Sequence, residues 1–159
     1  MNEQRATSPA EQAMHRAMSL LAARARSRHE ISERLSSAGF GTEVTETVVR
    51  RLEELGLLDD GKFAEECVRQ AVARGRSAEW IRRDLLQRGV METVVDAAIE
   101  QLGVVSSEFE RALELARRRA AGTAELSSAR AYGRLMRYLC GRGYDPDLAA
   151  EVSRTVAGI

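Results

Sequence analysis

Arginine is the residue whose type and spacing come nearest to chemistry in this chain. Arg130, Arg134 and Arg137 follow one another at steps of four and three, which places their guanidinium groups on one face of a helix. Arg74, Arg76, Arg82, Arg83 and Arg88 crowd an earlier stretch that also holds Glu79 and Asp84, and Arg142 follows the later group. A guanidinium fork meets a carboxylate or a phosphate through two parallel hydrogen bonds, so these nine residues form the candidate partner-binding set. The chemistry on offer is recognition of an anion, and it suits nucleic-acid phosphates and an acidic protein groove equally well. Any one of these arginines taken alone reads as ordinary solvated surface.

Other reactive side chains carry less. Cys67 and Cys140 each lie on the apolar side of a helical pattern and far apart in sequence, which predicts reduced, buried thiols. His15 and His29 have no second histidine or cysteine at ligand spacing, so no metal site is expected. Asp59 and Asp60 stand at a helix start, where carboxylates complement exposed backbone N–H groups, and read as caps. The sequence has no glycine-rich phosphate loop and no serine or cysteine nucleophile near a histidine base. A protein without catalytic activity, cofactor or metal is expected. Trp80 is the single tryptophan and lacks the aromatic neighbours of a base-stacking platform, so it is expected to be buried between structural units.

Charge is balanced overall, with 24 Lys and Arg against 24 Asp and Glu, which argues against a strongly basic polyanion binder. It is sorted locally. The span 130–142 holds four arginines and no acid, whereas Glu43, Glu46, Glu53, Glu54, Glu92, Asp96 and Glu100 gather on later helices.

The elements that position these residues are helices. Pro9 and Pro146 are the only prolines, and apolar residues recur three and four apart, with no alternation that would mark strands. Ile31, Leu35, Gly39, Val44, Val48 and Leu52 reappear fifty residues on as Ile81, Leu85, Gly89, Val94, Ala98 and Leu102. A further shift of fifty-four gives Leu135, Leu139, Gly143, Leu148, Val152 and Val156, so the unit occurs three times. Ser27 with Glu30 fits a capping box; Thr42, Asp60, Ser77 and Asp145 are expected to cap later helices.

The expected fold is all-α, an elongated and curved tandem array of three three-helix repeats, at residues 13–58, 59–104 and 107–158, behind a flexible arm over residues 1–12. Units this small are expected to bury their apolar stripes against one another. The start of the chain lacks a signal-like apolar run, and no segment approaches the ~20 apolar residues of a membrane span. A cytoplasmic monomer is the expectation.

LGLLDDGKFAEECVRQ and GRSAEWIRRDLLQRGV, at residues 55–70 and 75–90, resemble the bacterial RecX family, regulators of the RecA recombinase. The resemblance runs from about Ala13 to Val156 and is sharpest in the middle repeat. It implies tandem three-helix units, and a protein that binds in the groove of the RecA filament on single-stranded DNA and suppresses recombinase, ATPase and coprotease activities. The alternative is a helical DNA-binding module whose basic second helices contact phosphates.

Overall fold

The computed structural model describes residues 8–121 and 127–159, and among them the chain forms nine α-helices and no strand. These are α1 (Pro9–Ala23), α2 (Arg28–Ser37), α3 (Thr42–Glu54), α4 (Asp60–Ala73), α5 (Ala78–Gln87), α6 (Glu92–Gln101), α7 (Glu108–Ala121), α8 (Ser128–Cys140) and α9 (Pro146–Ala157).

Caps fix where several of these helices begin. Ser27 accepts from Glu30 N–H while the Glu30 carboxylate reaches back to the Ser27 amide. Ser77 caps α5, and Asp145 caps α9 with Pro146 in the first turn. Three expectations shift. Residues 9–12, expected within the arm, are helical, because Ser8 and Glu11 form a capping box and Pro9 presets the first turn; residues 1–7 of that arm lie outside the described residues. The cap of α3 is Gly41 and not Thr42, which is already helical. The cap of α4 is Asp59, accepting from Lys62 N–H at 3.0 Å, and Asp60 is used elsewhere.

The glycine-spaced frame closes each second helix in the same way. Phe40, Val90 and Tyr144 donate their amides to the carbonyls of Leu35, Leu85 and Leu139 at 3.2, 3.1 and 3.3 Å. This is the closing bond of a helix end that turns through a left-handed residue.

Each run of three helices encloses its own core. Ala13, Ala17, Ile31, Leu35, Val48, Val49, Leu52 and Leu58 form the first cluster. The second gathers Phe63, Ala64, Val68, Ile81, Leu85, Val95 and Ile99, and the third Ala112, Ala116, Leu135, Leu139, Tyr144, Ala149 and Val152. The helix pairs in substantial contact lie inside a repeat. Apolar stripes are therefore satisfied within repeats, not between them as expected. The third helix of each unit supplies the wall that two helices lack, and leaves only small joints between repeats.

Both joints use one plan. The start of a second helix meets the end of the next repeat's second helix: Ser27 Oγ donates to the Arg88 carbonyl at 2.5 Å, and Ser77 N–H donates to the Arg142 carbonyl at 3.2 Å. An acid at the start of the following repeat then takes the first helical amide. Asp60 accepts from Arg28 N–H and Glu108 from Ala78 N–H, both at 2.7 Å. The amide-rich start of one helix thus faces carbonyls and a carboxylate, the favourable polarity for a helix N-terminus. Gly89 and Gly143 sit inside these joints at φ +73° and +89°; a Cβ on Gly89 would strike the His29 ring, and one on Gly143 would lie 2.7 Å from Trp80 Cβ. The array's ends break the plan. Ala38 stands at the frame position of Arg88 and Arg142, and Ala131 at that of Ser27 and Ser77, while α8 starts about one turn earlier behind Ser127.

Candidate partner-binding surface

Leu135 and Leu139 anchor one face of α8 in the third core, so the opposite face carries Arg130, Arg134 and Arg137 into solvent. No ion pair holds these three among the described residues. Tyr138 extends the basic face sideways: Arg119 lies over its ring at 5.2 Å and Arg142 at 3.9 Å. The basic end of α7 (Arg117, Arg118 and Arg119) is thereby joined to α8, with Arg118 paired to Glu114 at 3.1 Å. Those α7 arginines stood outside the candidate set, and the run itself was the sequence signal for them.

The middle repeat treats its arginines differently. Ile81 and Leu85 turn inward on α5, and the flanking Arg82 pairs with Asp96 on α6. Arg83 is exposed and stands 4.0 Å from Glu79. Arg88, at the end of α5, reaches Glu30 at 3.3 Å and Asp84 at 3.7 Å, and stacks over Phe63 at 4.7 Å. Arg76 lies over the Trp80 ring at 4.5 Å and donates to the Gly141 carbonyl at 3.3 Å. Arg74 ends α4 in the open. The nine candidates therefore fall into an outward row, Arg130, Arg134 and Arg137; two further exposed residues, Arg74 and Arg83; and four held by neighbours, Arg76, Arg82, Arg88 and Arg142.

Trp80 is half-buried against the middle core and abuts Gly143 of the third repeat, in keeping with a place between units. The thiols depart from expectation. Cys67 is half-buried and Cys140 is exposed, because Cys140 follows the inward Leu139 on α8 and faces away from the core. Burial pushes the Cys67 thiol up, although Arg88 Nη1 lies 3.1 Å away and opposes that shift.

Burial also tends to raise the Glu30 carboxyl, but hydrogen bonds from Arg24 and the Ser27 amide, with the charge of Arg88, hold it below the usual carboxylate range. His29 pairs with Glu33 at 3.4 Å. Among the described residues no group of three or more His, Cys, Asp and Glu could hold a metal ion, and no helix is long and apolar enough to cross a membrane. The clefts beside the arginines pair no cysteine or serine with a histidine. Exposed guanidinium forks of this kind suit recognition of an anion, and among the described residues they stand with no assembled acid, base and nucleophile.

Residues 13–52 match the first three-helix domain of RecX, residues 59–99 the second and residues 106–152 the third. The chain is 33% identical over 147 residues to the regulatory protein RecX of Streptomyces coelicolor, covering 92% of this chain and 78% of that one. It is 35% identical over 144 residues to the regulatory protein RecX of Mycobacterium avium, covering 89% and 83%. The crystal structure of RecX from Lactobacillus salivarius superposes with a TM-score of 0.78 at 19% identity, over 95% of this chain and 98% of that one.

Proposed function

The chain belongs to the RecX family of regulatory proteins, and from that premise we propose that it regulates the RecA recombinase by lodging along the groove of the RecA filament on single-stranded DNA. It is a regulator by family and not an enzyme. Bound in the groove, a monomer bridges neighbouring RecA protomers and restrains strand exchange, ATP turnover and coprotease activity. The setting is the cytoplasm, where filament and DNA meet.

The observation that carries this reading is the row of Arg130, Arg134 and Arg137, exposed on α8 and without acidic partners among the described residues. Unpaired guanidinium groups along one helix suit a long acidic wall better than a small ligand. DNA phosphates within the filament lie within the same chemistry and would give a weaker, strongly salt-dependent contact.

The test adds the protein to preformed RecA filaments and follows strand exchange and ATP hydrolysis, with filament binding measured in parallel. Binding with loss of both activities is the expected result. Failure to bind filaments, together with tight sequence-specific binding to duplex DNA alone, would replace this reading with that of a helical DNA-binding module.

A further inference from the structure

The two joints share a backbone plan and differ at one frame position. Glu30 in α2 and Trp80 in α5 stand fifty residues apart, each at the third residue of its second helix, and each faces the following repeat. At the first joint Glu30 collects Arg24 of its own repeat at 3.1 Å and Arg88 of the next at 3.3 Å. Among the described residues this pair with Arg88 is the one side-chain ion pair that crosses a joint. Arg88 is itself held by Phe63 and Asp84, so its guanidinium is aimed before the first repeat docks.

At the second joint Trp80 lies against Gly143, with Arg76 over its ring and that same arginine bonded to the Gly141 carbonyl. A second apolar contact accompanies it: the Leu115 side chain of α7 fills the space over Gly75, where a Cβ would approach Leu115 Cδ2 to 2.8 Å. His29 packs as closely against Gly89 at the first joint, so the joints differ in what stands beside that contact, the Glu30–Arg88 pair at the first and Leu115 over Gly75 at the second. Close van der Waals packing does not weaken with salt, whereas a partly exposed ion pair does.

We propose that the joint between the first and middle repeats is a charge-latched hinge, on which the first repeat swings while the middle and third repeats move as one body. The bonds from the Ser27 hydroxyl and the Arg28 amide keep the hinge from separating, and the Glu30–Arg88 pair sets its angle. Released, the first repeat can follow a curved partner while the two others keep a fixed geometry.

Pulsed EPR distances in the full-length protein test this. Spin labels on Glu46→Cys and Glu92→Cys, with Cys67→Ser and Cys140→Ser, report the first joint; labels on Glu92→Cys and native Cys140, with Cys67→Ser, report the second. Raising salt towards 1 M, where the screening length falls to about 3 Å, should broaden the first distribution and leave the second unchanged. Glu30→Gln should produce the same broadening at low salt, because glutamine still completes the capping box but carries no charge. Trp80→Ala should do the reverse, loosening only the second joint. The proposal is overturned if salt broadens both distributions alike or neither, or if Glu30→Gln leaves the first as narrow as in the wild type.

Discussion

The middle and third repeats have the same frame and treat the arginines of their second helices differently. In the middle repeat Arg69 faces Glu65 and Glu66, Arg82 faces Asp96, and Arg88 faces Glu30 and Asp84. In the third, Arg130, Arg134 and Arg137 stand outside such pairs among the described residues. The difference shows that a basic helix is not by itself a basic surface. The acids of neighbouring helices decide, and α6 supplies one to α5 in Asp96 where the charge would otherwise project. Repeats with the same spacing thus differ in how the arginines of their second helices are held, paired to a neighbouring helix in one and projecting in the next.

The largest effect should come from the cores, since the comparison assumes two units that fold on separate interiors. Leu85 and Leu135 are fully buried frame residues, at 0% and 2% exposure. Truncation of either to alanine should cost ~2–5 kcal/mol, and aspartate more, because it buries a carboxylate. Hydrogen exchange should show Leu85→Asp stripping protection from the middle repeat and Leu135→Asp from the third. Simultaneous loss across both repeats in either variant would break the comparison at its base.

Charge reversal comes next. Arg134→Glu with Arg137→Glu should weaken filament binding about tenfold, near 1.4 kcal/mol, whereas Arg82→Glu with Arg83→Glu should weaken it less. Arg82 is already committed to Asp96. Both double variants should keep wild-type circular dichroism, since exposed charges contribute little to folding. Equal losses from the two pairs would show that the internal pairing of the middle repeat does not withdraw it from the partner.

Acidification should then separate the two flanks of the middle repeat. The groups facing Glu30 are Arg24 at the end of α1, Ser27 at the cap of α2 and Arg88 at the end of α5. Its carboxyl sits below the ordinary 4.5 when folded, so its contribution is present above that value and lost as pH falls through the folded pKa. Below about pH 4.5 the distance spread across the first joint should grow while Trp80 fluorescence at the second holds steady. A tryptophan shift in step with the distance change would make the two joints alike.

The smallest effect is chemical. At neutral pH a thiol reagent should label exposed Cys140 quickly and half-buried Cys67 slowly, because burial raises the Cys67 thiol and hides it. Equal rates would remove that contrast between the repeats.

Much of the fold was legible because it is written in local, repeated spacing. Ile31, Leu35 and Gly39 and their counterparts announce helix, face and stop within nine residues, and the Ser27–Glu30 box needs only four. What escaped was set by distant partners. Asp59 and Asp60 are adjacent acids of one type, and only the presence of Arg28, 32 residues away, gives Asp60 a different helix to cap. Thr42 looked like a cap because threonine often is one, but Gly41 already held the extended turn before α3. Cys140 was misplaced since one residue along a helix turns a side chain by about 100°, away from the face that Leu139 shares with the core. The candidate arginines were legible as charge and not as surface, because pairs such as Arg82 with Asp96 depend on how two helices cross. One signal was present and unread: Ser27 matches Ser77, and Arg88 matches Arg142, in the same frame that matched the leucines.

Those matched residues are the two halves of a coupling, a plug and a socket. The middle repeat carries both halves, the Ser77 amide and the Arg88 carbonyl, whereas in the third the frame places Ala131 where the plug would stand. There α8 starts about one turn earlier, and the Ala131 amide is taken by the Ser127 carbonyl of its own helix at 2.9 Å. A repeat's plug is thus withdrawn by lengthening its helix, with no change needed in the backbone group itself.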